Sequence, residues 1–318
     1  MSRLWGSWWD GHPRTVMRIG IAVIVGLEQL VETFQVDWQS RAPDKYPPTG
    51  ALSRWLAEVP GAAWVLFALI GIGLVAVARD RRPIAGGLWA LAWAAVLSEW
   101  QTQIFGSPSR NAFFPGAVLL GWTLGQAWAV SMGARADREG KASRERLGEA
   151  GALACLAAAY VGSGLSKLLT AGVSWADGAQ IRALVLQQQP VARWDWLAAY
   201  REAFVVDPNV AVAASVGTLV LECGGLLLLF GPRLRLAWAT LLVALHVNIT
   251  LLCTMPYVEP MLLLPLTCIP WPTVFRRPPS ARPAEPGGPV IPWPMAVALL
   301  GLVVAAWLAA PWGWRATG

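Results

Sequence analysis

A lysine lies inside an apolar run of the sequence, at position 167 of the stretch YVGSGLSKLLTAGVSW (160–175). Of the 25 lysines and arginines in the chain, only Lys45, Lys141 and Lys167 are lysines. An arginine would match the general usage of the chain and would keep its charge in any environment. A lysine that is taken out of water can instead become a neutral amine, which accepts a proton near neutral pH. The residue type at position 167 therefore indicates a base.

Further ionisable groups lie inside apolar runs, where such groups are rare and indicate function by default. They are Glu28, Glu32, Glu99, Glu222 and His246. Glu28 and Glu32 are four residues apart, so both carboxylates share one face of a helix. The sequence thus predicts a set of membrane-embedded acids and one histidine around the candidate base.

Each of these groups also has a purely structural interpretation. One of the two acids of the first run can pair with Lys167 and hold two helices together, and Glu222 can hydrogen-bond to His246. A single histidine on an apolar helix is more often a structural group than a ligand. Glu99, near the end of its run, can face lipid headgroups, and Lys167 can extend its amine to the membrane interface. Both kinds of interpretation are compatible with the sequence.

The composition is that of an integral membrane protein. The chain has 318 residues, of which 56% are hydrophobic and 14% charged, and its mean hydropathy is +0.48. A soluble domain carries roughly 25% charged residues, and a spanning helix needs about 20 mostly apolar residues. Such runs recur along the chain. We predict an all-α, polytopic membrane helical bundle with about eight to nine transmembrane segments.

The apolar runs give the predicted spans. They cover residues 15–34, 62–78, 84–105, 113–133, 150–171, 209–230, 234–254 and 292–311. A shorter run, 256–274, is rich in proline and predicts a kinked span or a re-entrant segment. The first run carries acidic residues and no cleavage site behind it, which predicts a retained span rather than a signal peptide.

The basic residues predict an orientation. Loops on one side of the predicted spans carry twice as many lysines and arginines as loops on the other side. By the positive-inside rule the N-terminus is then cytoplasmic, in a multi-pass protein of the cytoplasmic membrane. Lys167 falls in the outer half of its span, His246 near mid-membrane, and Glu222 at mid-depth or slightly inward. The candidate site is thus expected to face outward.

The composition disfavours two classes of function. The net charge of +6 arises from short loops between apolar runs, so it does not predict nucleic-acid binding. The chain has two histidines and four cysteines, and the cysteines lie in apolar runs without CxxC spacing. We therefore predict no metal site, and cysteines that serve as small apolar residues.

The chain divides into three predicted parts: a membrane domain over 1–275, a Pro-rich cytoplasmic linker over 276–291 and a C-terminal transmembrane helix over 292–318. Two outward loops, 35–61 and 172–208, are long enough to hold structure. Apolar residues in 172–208 follow helical spacing, which predicts short amphipathic helices on the outer membrane surface.

Three stretches of the chain carry a family resemblance. The first combines an aromatic residue, a small segment, a lysine and W-x-x-G, in the residues Tyr160, Gly164, Lys167, Trp175 and Gly178. The second is LECGGLLLLF around Glu222, followed by the basic turn GPRLR and a span that holds His246. The third is the turn SPSRNAFFPG. Over roughly 90–275, their order and spacing resemble the membrane domain of vitamin K-dependent gamma-carboxylase and its bacterial relatives, the horizontally transferred transmembrane (HTTM) domain proteins.

The resemblance implies an activity. Lys167 stands at the place of the base that deprotonates reduced vitamin K, after which oxygen converts the quinol to its epoxide. That reaction removes a proton from a substrate glutamate, and carbon dioxide traps the resulting carbanion. The implied cofactor is a reduced quinone of the vitamin K or menaquinol type, and the implied partners are the lipid bilayer and a peptide or protein substrate.

The resemblance, together with the intramembrane acids, gives a set of candidate site residues. The candidate catalytic residues are Lys167, His246 and Glu222. The candidate substrate-binding residues are Asn111, Tyr160, Trp175, Gly178, Glu99, Glu32 and Glu28.

The chain also departs from the family pattern. In the family a histidine follows the asparagine of the turn before the fourth span, where this chain has Asn111, or Ala112 if the alignment shifts by one. The acid of the sixth span is Glu222 rather than an aspartate. The large lumenal domain that follows the spans of the carboxylase has no counterpart before Gly318.

Two further classes of function remain open. Some bacterial relatives assist the maturation of secreted peptides, and the loop 172–208 could dock such a partner in a non-catalytic accessory protein. A proton-linked transporter built on the acids and Lys167 is the third alternative, although the sequence shows no inverted repeat or paired broken helices.

Overall fold

The computed structural model describes residues 13–105, 113–134, 137–188, 195–253 and 257–269. Every regular element in these ranges is helical, which confirms the predicted all-α class. Five helices of the described part are long and apolar enough to cross a membrane. They correspond to five of the predicted spans, so the chain is a helical membrane protein; the predicted linker 276–291 and C-terminal helix 292–318 lie outside the described residues.

The chain divides into two compact units. Among the described residues, the first comprises 13–153 and Ile269, and the second comprises 154–268. In the part of the chain that the structure describes, the first unit contains five complete helices: α1 (Pro13–Ser40), α2 (Ala51–Ala57), α3 (Ala62–Ala78), α4 (Pro83–Phe105) and α5 (Phe113–Ser131). The long helix α6 (Arg138–Ala171) supplies its first part to this unit and its second part, from Ala154, to the second unit.

The described residues of the second unit form the end of α6 and five further helices. These are α7 (Ala179–Gln188), α8 (Ala198–Val206), α9 (Pro208–Cys223), α10 (Pro232–Cys253) and α11 (Val258–Cys268). Three 3-10 segments accompany them, at Gly172–Asp177, Asp195–Leu197 and Gly224–Leu229. Helices α7 and α8 occur where the sequence predicts short surface helices.

Three of the predicted segments are not among these five helices. Helix α3 is bent by 102° from α2 at a short break, so the two helices form either a broken span or a re-entrant loop. Helix α4 has 23 residues but is less apolar than the five helices, because its end carries the polar sequence SEWQTQ. Helix α11 has 11 residues and is about 16 Å long, so it is too short to cross a hydrocarbon core of about 30 Å.

Buried charges hold one end of the first unit together. Arg18 of α1 is 4% exposed, and its Nη1 lies 2.9 Å from Glu145 Oε1 of α6 and 3.5 Å from Asp80 Oδ2 in the α3–α4 turn. Lys141 Nζ lies 3.0 Å from the same Asp80 oxygen. Removing one partner of such a buried pair is costly, since the other charge is left without compensation. The network therefore fixes the order of α1, the α3–α4 turn and the start of α6.

Helices α7 and α8 pack against the end of α10 in the second unit. Val185 of α7 and Phe204 of α8 form a buried cluster with Leu252 and Cys253 of α10. Arg201 of α8 is buried as well and donates from Nε to the Leu251 carbonyl oxygen at 3.2 Å. One side of this helical pair is thus fixed to the bundle.

Candidate functional site

One stripe of α6 carries the side chains of the candidate site. Tyr160, Ser163, Gly164 and Lys167 are separated by three, four and seven residues, so they share one face of the helix. This face lies against α9, the 3-10 segment Gly224–Leu229 and α10. The polar residues are therefore grouped by helical periodicity rather than by a loop.

Lys167 forms a short ion pair with Glu222 of α9. Its Nζ lies 2.5 Å from Glu222 Oε2, and the two side chains are 24% and 11% exposed. Nζ also donates to Ser163 Oγ at 2.9 Å and lies 5.5 Å from the centre of the Trp175 ring. The amine is thus held by a carboxylate, a hydroxyl and an aromatic face, which is a set that can bind and move a proton.

Tyr160 and His246 form a second polar pair. The Tyr160 hydroxyl and His246 Nε2 share a hydrogen bond of 2.8 Å, and the two residues are 1% and 5% exposed. Tyr257 is a second aromatic neighbour of His246, and the centres of the two rings lie 5.6 Å apart. Tyr160 and Lys167 are seven residues apart on α6, so the two pairs lie along the same face of that helix.

A break in α9 brings Glu222 and the next turn close to α6. After Cys223 the α-helix changes into the 3-10 segment Gly224–Leu229. The indole N–H of Trp238 donates to the Leu221 carbonyl oxygen at 3.1 Å, which satisfies an acceptor near the break. A Cβ atom added to Gly225 would lie only 2.7 Å from Tyr160 Cβ, so glycine is required for this approach. Mid-helix 3-10 segments often mark functional positions.

We expect Gly225→Ala to destabilise the protein by about 1–3 kcal/mol, since the added methyl group must displace Tyr160 or the α6 backbone. Gly217→Ala, in α9, is the matched control, because a Cβ atom there meets nothing within 4 Å. Thermal unfolding of the purified variants in detergent measures the difference. Equal stability of the Gly225→Ala variant and the wild type would show that the close approach is not required.

The W-x-x-G motif forms the turn after α6. Trp175 lies in the 3-10 segment Gly172–Asp177 and supplies the ring beside Lys167. Gly178 follows with a φ of 83°, and a Cβ atom on it would lie 2.8 Å from the Ala211 carbonyl carbon of α9. Both the positive φ and the close approach require glycine. The motif therefore positions Trp175 and packs the turn on α9, without bringing Gly178 to the amine.

Glu28, Glu32 and Glu99 lie in the first unit. Glu28 and Glu32 are 3% and 1% exposed. Glu32 accepts hydrogen bonds from Gln29 Nε2 at 2.8 Å and from Ser98 Oγ at 3.2 Å. Glu99 is exposed and accepts from Gln103 Nε2 at 2.7 Å. Asn111 lies outside the described residues.

The contacts select among the pairings that the sequence leaves open. The partner of Lys167 is Glu222, and the partner of His246 Nε2 is Tyr160. The sequence places Lys167 in the outer half of its span and Glu222 at mid-depth or slightly inward, whereas the 2.5 Å contact puts both side-chain ends at one depth. The lengths of a lysine and a glutamate side chain account for the difference, since each reaches several ångströms from its backbone.

Two residues of the site are absent from the sequence-based prediction. Ser163 bonds to the Lys167 amine, and Tyr257 packs on His246. Ser163 could have been found from its position four residues before Lys167 on a helix. No comparable signal marks Tyr257, because its contact depends on how the chain returns after α10.

Comparison of the chain with models of protein families, with curated proteins and with solved structures gives no match.

Proposed function

We propose that the protein transfers a proton between Lys167 and a lipid-soluble quinol in the outer half of the membrane. The observation that carries the proposal is the set of groups around the Lys167 amine, where Glu222 Oε2 lies at 2.5 Å, Ser163 Oγ at 2.9 Å and the centre of the Trp175 ring at 5.5 Å. The resemblance of the chain's motifs to those of the gamma-carboxylase and HTTM proteins supports the same chemistry. The protein in this proposal has eight to nine spans in the cytoplasmic membrane, a cytoplasmic N-terminus and an outward site.

The donor set at Lys167 suits an aromatic ring that bears hydroxyl groups. The amine and the Ser163 hydroxyl can hydrogen-bond to such a hydroxyl, and the half-buried Trp175 ring offers a stacking surface. A reduced quinone would supply an acidic ring hydroxyl and the electrons for a reaction with oxygen. The residues that would hold it are Lys167, Ser163 and Trp175.

Glu222 gives Lys167 a way to become a base. In water the pair exists as an ammonium and a carboxylate, but the removal of water makes two separate charges expensive. The proton can then pass from Nζ to Oε2 along the existing hydrogen bond, whose two heavy atoms are 2.5 Å apart, and this leaves a neutral amine and a neutral acid. The amine lone pair is then free to accept a proton from a bound hydroxyl group. Ser163 keeps Nζ in place during both transfers.

Tyr160 and His246 support the same chemistry from the buried side. The hydroxyl and the imidazole share one hydrogen bond, so a proton can pass between them without solvent. Because both residues are at least nine-tenths buried, they cannot exchange protons directly with bulk water. We propose that Tyr160 and His246 orient the Lys167–Glu222 pair and balance its charge.

The second candidate is a non-catalytic accessory protein that assists the maturation of secreted peptides. The same ion pair favours it, since a tight Lys–Glu pair also holds α6 to α9 without any reaction. Helices α7 and α8 would then form the docking surface for the peptide. In that case, changes in α7 and α8 should impair function more than changes at Lys167.

The experiment that tests the proposed function uses the purified protein in lipid nanodiscs. A reduced naphthoquinone is added in the presence of oxygen, and oxygen consumption and quinone epoxide are measured, the latter by mass spectrometry. We expect epoxide formation that depends on the protein. Oxygen consumption and epoxide no greater than in empty nanodiscs would exclude the quinol-linked activity and favour the accessory function.

A further inference from the structure

A polar seam runs along the contact between α1 and α4 in the first unit. Ser98 Oγ of α4 donates to Glu32 Oε1 of α1 at 3.2 Å, and Gln101 Nε2 of α4 donates to Gln35 Oε1 at 2.9 Å. Gln29, three residues before Glu32, donates from Nε2 to Glu32 Oε2 at 2.8 Å. We call these five side chains the α1–α4 seam. They join the two helices through hydrogen bonds to a carboxyl group and an amide.

Two carboxyl groups lie in this part of α1. Glu28 and Glu32 are 3% and 1% exposed and are one helical turn apart on the same face. Both oxygen atoms of Glu32 accept hydrogen bonds, one from Gln29 and one from Ser98. Such hydrogen bonds favour the charged form of a carboxyl group. A second charge, on Glu28, would add the repulsion between like charges to the cost of removing another ion from water.

The helices that pack on α1 provide no positive charge to offset two carboxylates. Helix α1 packs on α3, α4 and α5, and no lysine, arginine or histidine occurs within the bounds of these three helices. Their one charged residue is Glu99 of α4, which is exposed and acidic. The surroundings supplied by α3, α4 and α5 therefore favour a smaller negative charge on the pair of Glu28 and Glu32.

The charged groups of α1 itself and of the first part of α6 do not change this balance. Arg18 lies ten residues before the nearer carboxyl group, about 15 Å along α1, and is paired with Glu145 of α6. The basic residues of α6 in this unit lie within 138–146, on either side of Glu145, and the next charged residue, Glu149, is acidic. Asp37, towards the end of α1, is acidic as well.

Two acceptors of the α1–α4 seam lack a donor. Gln29 Oε1 and Gln101 Oε1 have no hydrogen-bond partner in the part of the chain that the structure describes, and the two residues are only 3% and 4% exposed. Gln29 follows Glu28 directly and is bonded to Glu32, so its amide lies beside the carboxyl pair. A carboxylate can only accept hydrogen bonds, whereas a neutral carboxylic acid also donates one. One added proton therefore supplies the missing kind of group, and a proton needs no cavity.

We propose that Glu28 and Glu32 together bind one proton at neutral pH, with Glu28 as the neutral acid and Glu32 as the carboxylate. The proton removes one of two buried like charges and gives the seam an additional O–H donor. Gln29 and Ser98 stabilise the remaining charge on Glu32. The first unit thus contains a proton-binding site of its own, formed by residues other than the Lys167–Glu222 pair of the second unit.

Infrared difference spectroscopy of the purified protein in lipid nanodiscs at neutral pH tests this site. A neutral carboxylic acid has a C=O stretching band that lies outside the amide bands and shifts in D2O, whereas a carboxylate lacks it. We expect Glu28→Gln to remove one such band from the wild-type spectrum. Glu32→Gln should retain this band, because Glu28 is already neutral. Bands of acids elsewhere in the chain cancel in the difference between wild type and variant.

Glu99→Gln is the matched control, since it removes an exposed carboxylate from α4 and should leave the carboxylic acid bands unchanged. Thermal unfolding in detergent gives a second readout. Glutamine has the shape of a neutral glutamic acid and keeps a donor, so Glu28→Gln should unfold at the wild-type temperature. The same band in wild type and Glu28→Gln, loss of the band in Glu32→Gln, or a lowered unfolding temperature of Glu28→Gln would each overturn the proposal.

Discussion

Lys167→Arg is expected to lower quinol-dependent oxygen consumption at least about 100-fold, within the range that general-base catalysis contributes. Arginine can keep the ion pair with Glu222, because it remains a cation with several N–H donors. It cannot release its proton at the pH values that proteins tolerate, so the variant lacks a base while retaining a pair between α6 and α9. The measurement is the nanodisc assay described above.

Lys141→Arg is the matched control for this substitution. Lys141 lies on the same helix, α6, and forms an ion pair of its own, with Asp80 at 3.0 Å. The control replaces a paired lysine by arginine without touching the candidate site, so its activity should equal that of the wild type. Wild-type activity in the Lys167→Arg variant would mean that Lys167 only holds two helices together.

Glu222→Gln is expected to destabilise the protein by about 3 kcal/mol, the lower end of the cost of breaking a buried ion pair. The amide keeps the shape of the side chain but leaves the Lys167 charge without its counter-charge. The lower end of this range of costs applies because the Lys167 side chain is 24% exposed, so it is not fully enclosed by the protein. Thermal unfolding in detergent gives the change.

A double variant separates stability from chemistry at the same position. Lys167→Met together with Glu222→Leu replaces the pair by apolar side chains, which is often neutral for stability in a buried setting. We expect the double variant to unfold near the wild-type temperature and to lack activity. A Glu222→Gln protein that is as stable as the wild type would contradict the buried pair.

The membrane class and the candidate groups could be predicted from the sequence for a thermodynamic reason. An ionisable group in an apolar run is costly, so Lys167, Glu222 and His246 stand out against their surroundings without any knowledge of the fold. The W-x-x-G motif can also be recognised from the sequence alone. Its glycine is explained by a φ of 83° and close packing on α9.

The pairing of these groups could not be predicted in the same way. Several acids were available to Lys167, and the sequence does not tell which helices are neighbours. The change of α9 into a 3-10 segment at Gly224 depends on tertiary contacts with Tyr160 and Trp238. Helix α4 shows the limit of predicting spans from hydropathy, because it is long enough for a span but carries a polar end.

The central claim is that Lys167 accepts a proton from a quinol, and an anaerobic titration tests it most directly. A reduced naphthoquinone is added without oxygen to the protein in nanodiscs, and its absorbance distinguishes a neutral ring hydroxyl from an ionised one. We expect the ionised spectrum with the wild type and with Lys141→Arg, and the neutral spectrum with Lys167→Arg. A neutral spectrum with the wild type, or an ionised one with Lys167→Arg, would contradict the claim.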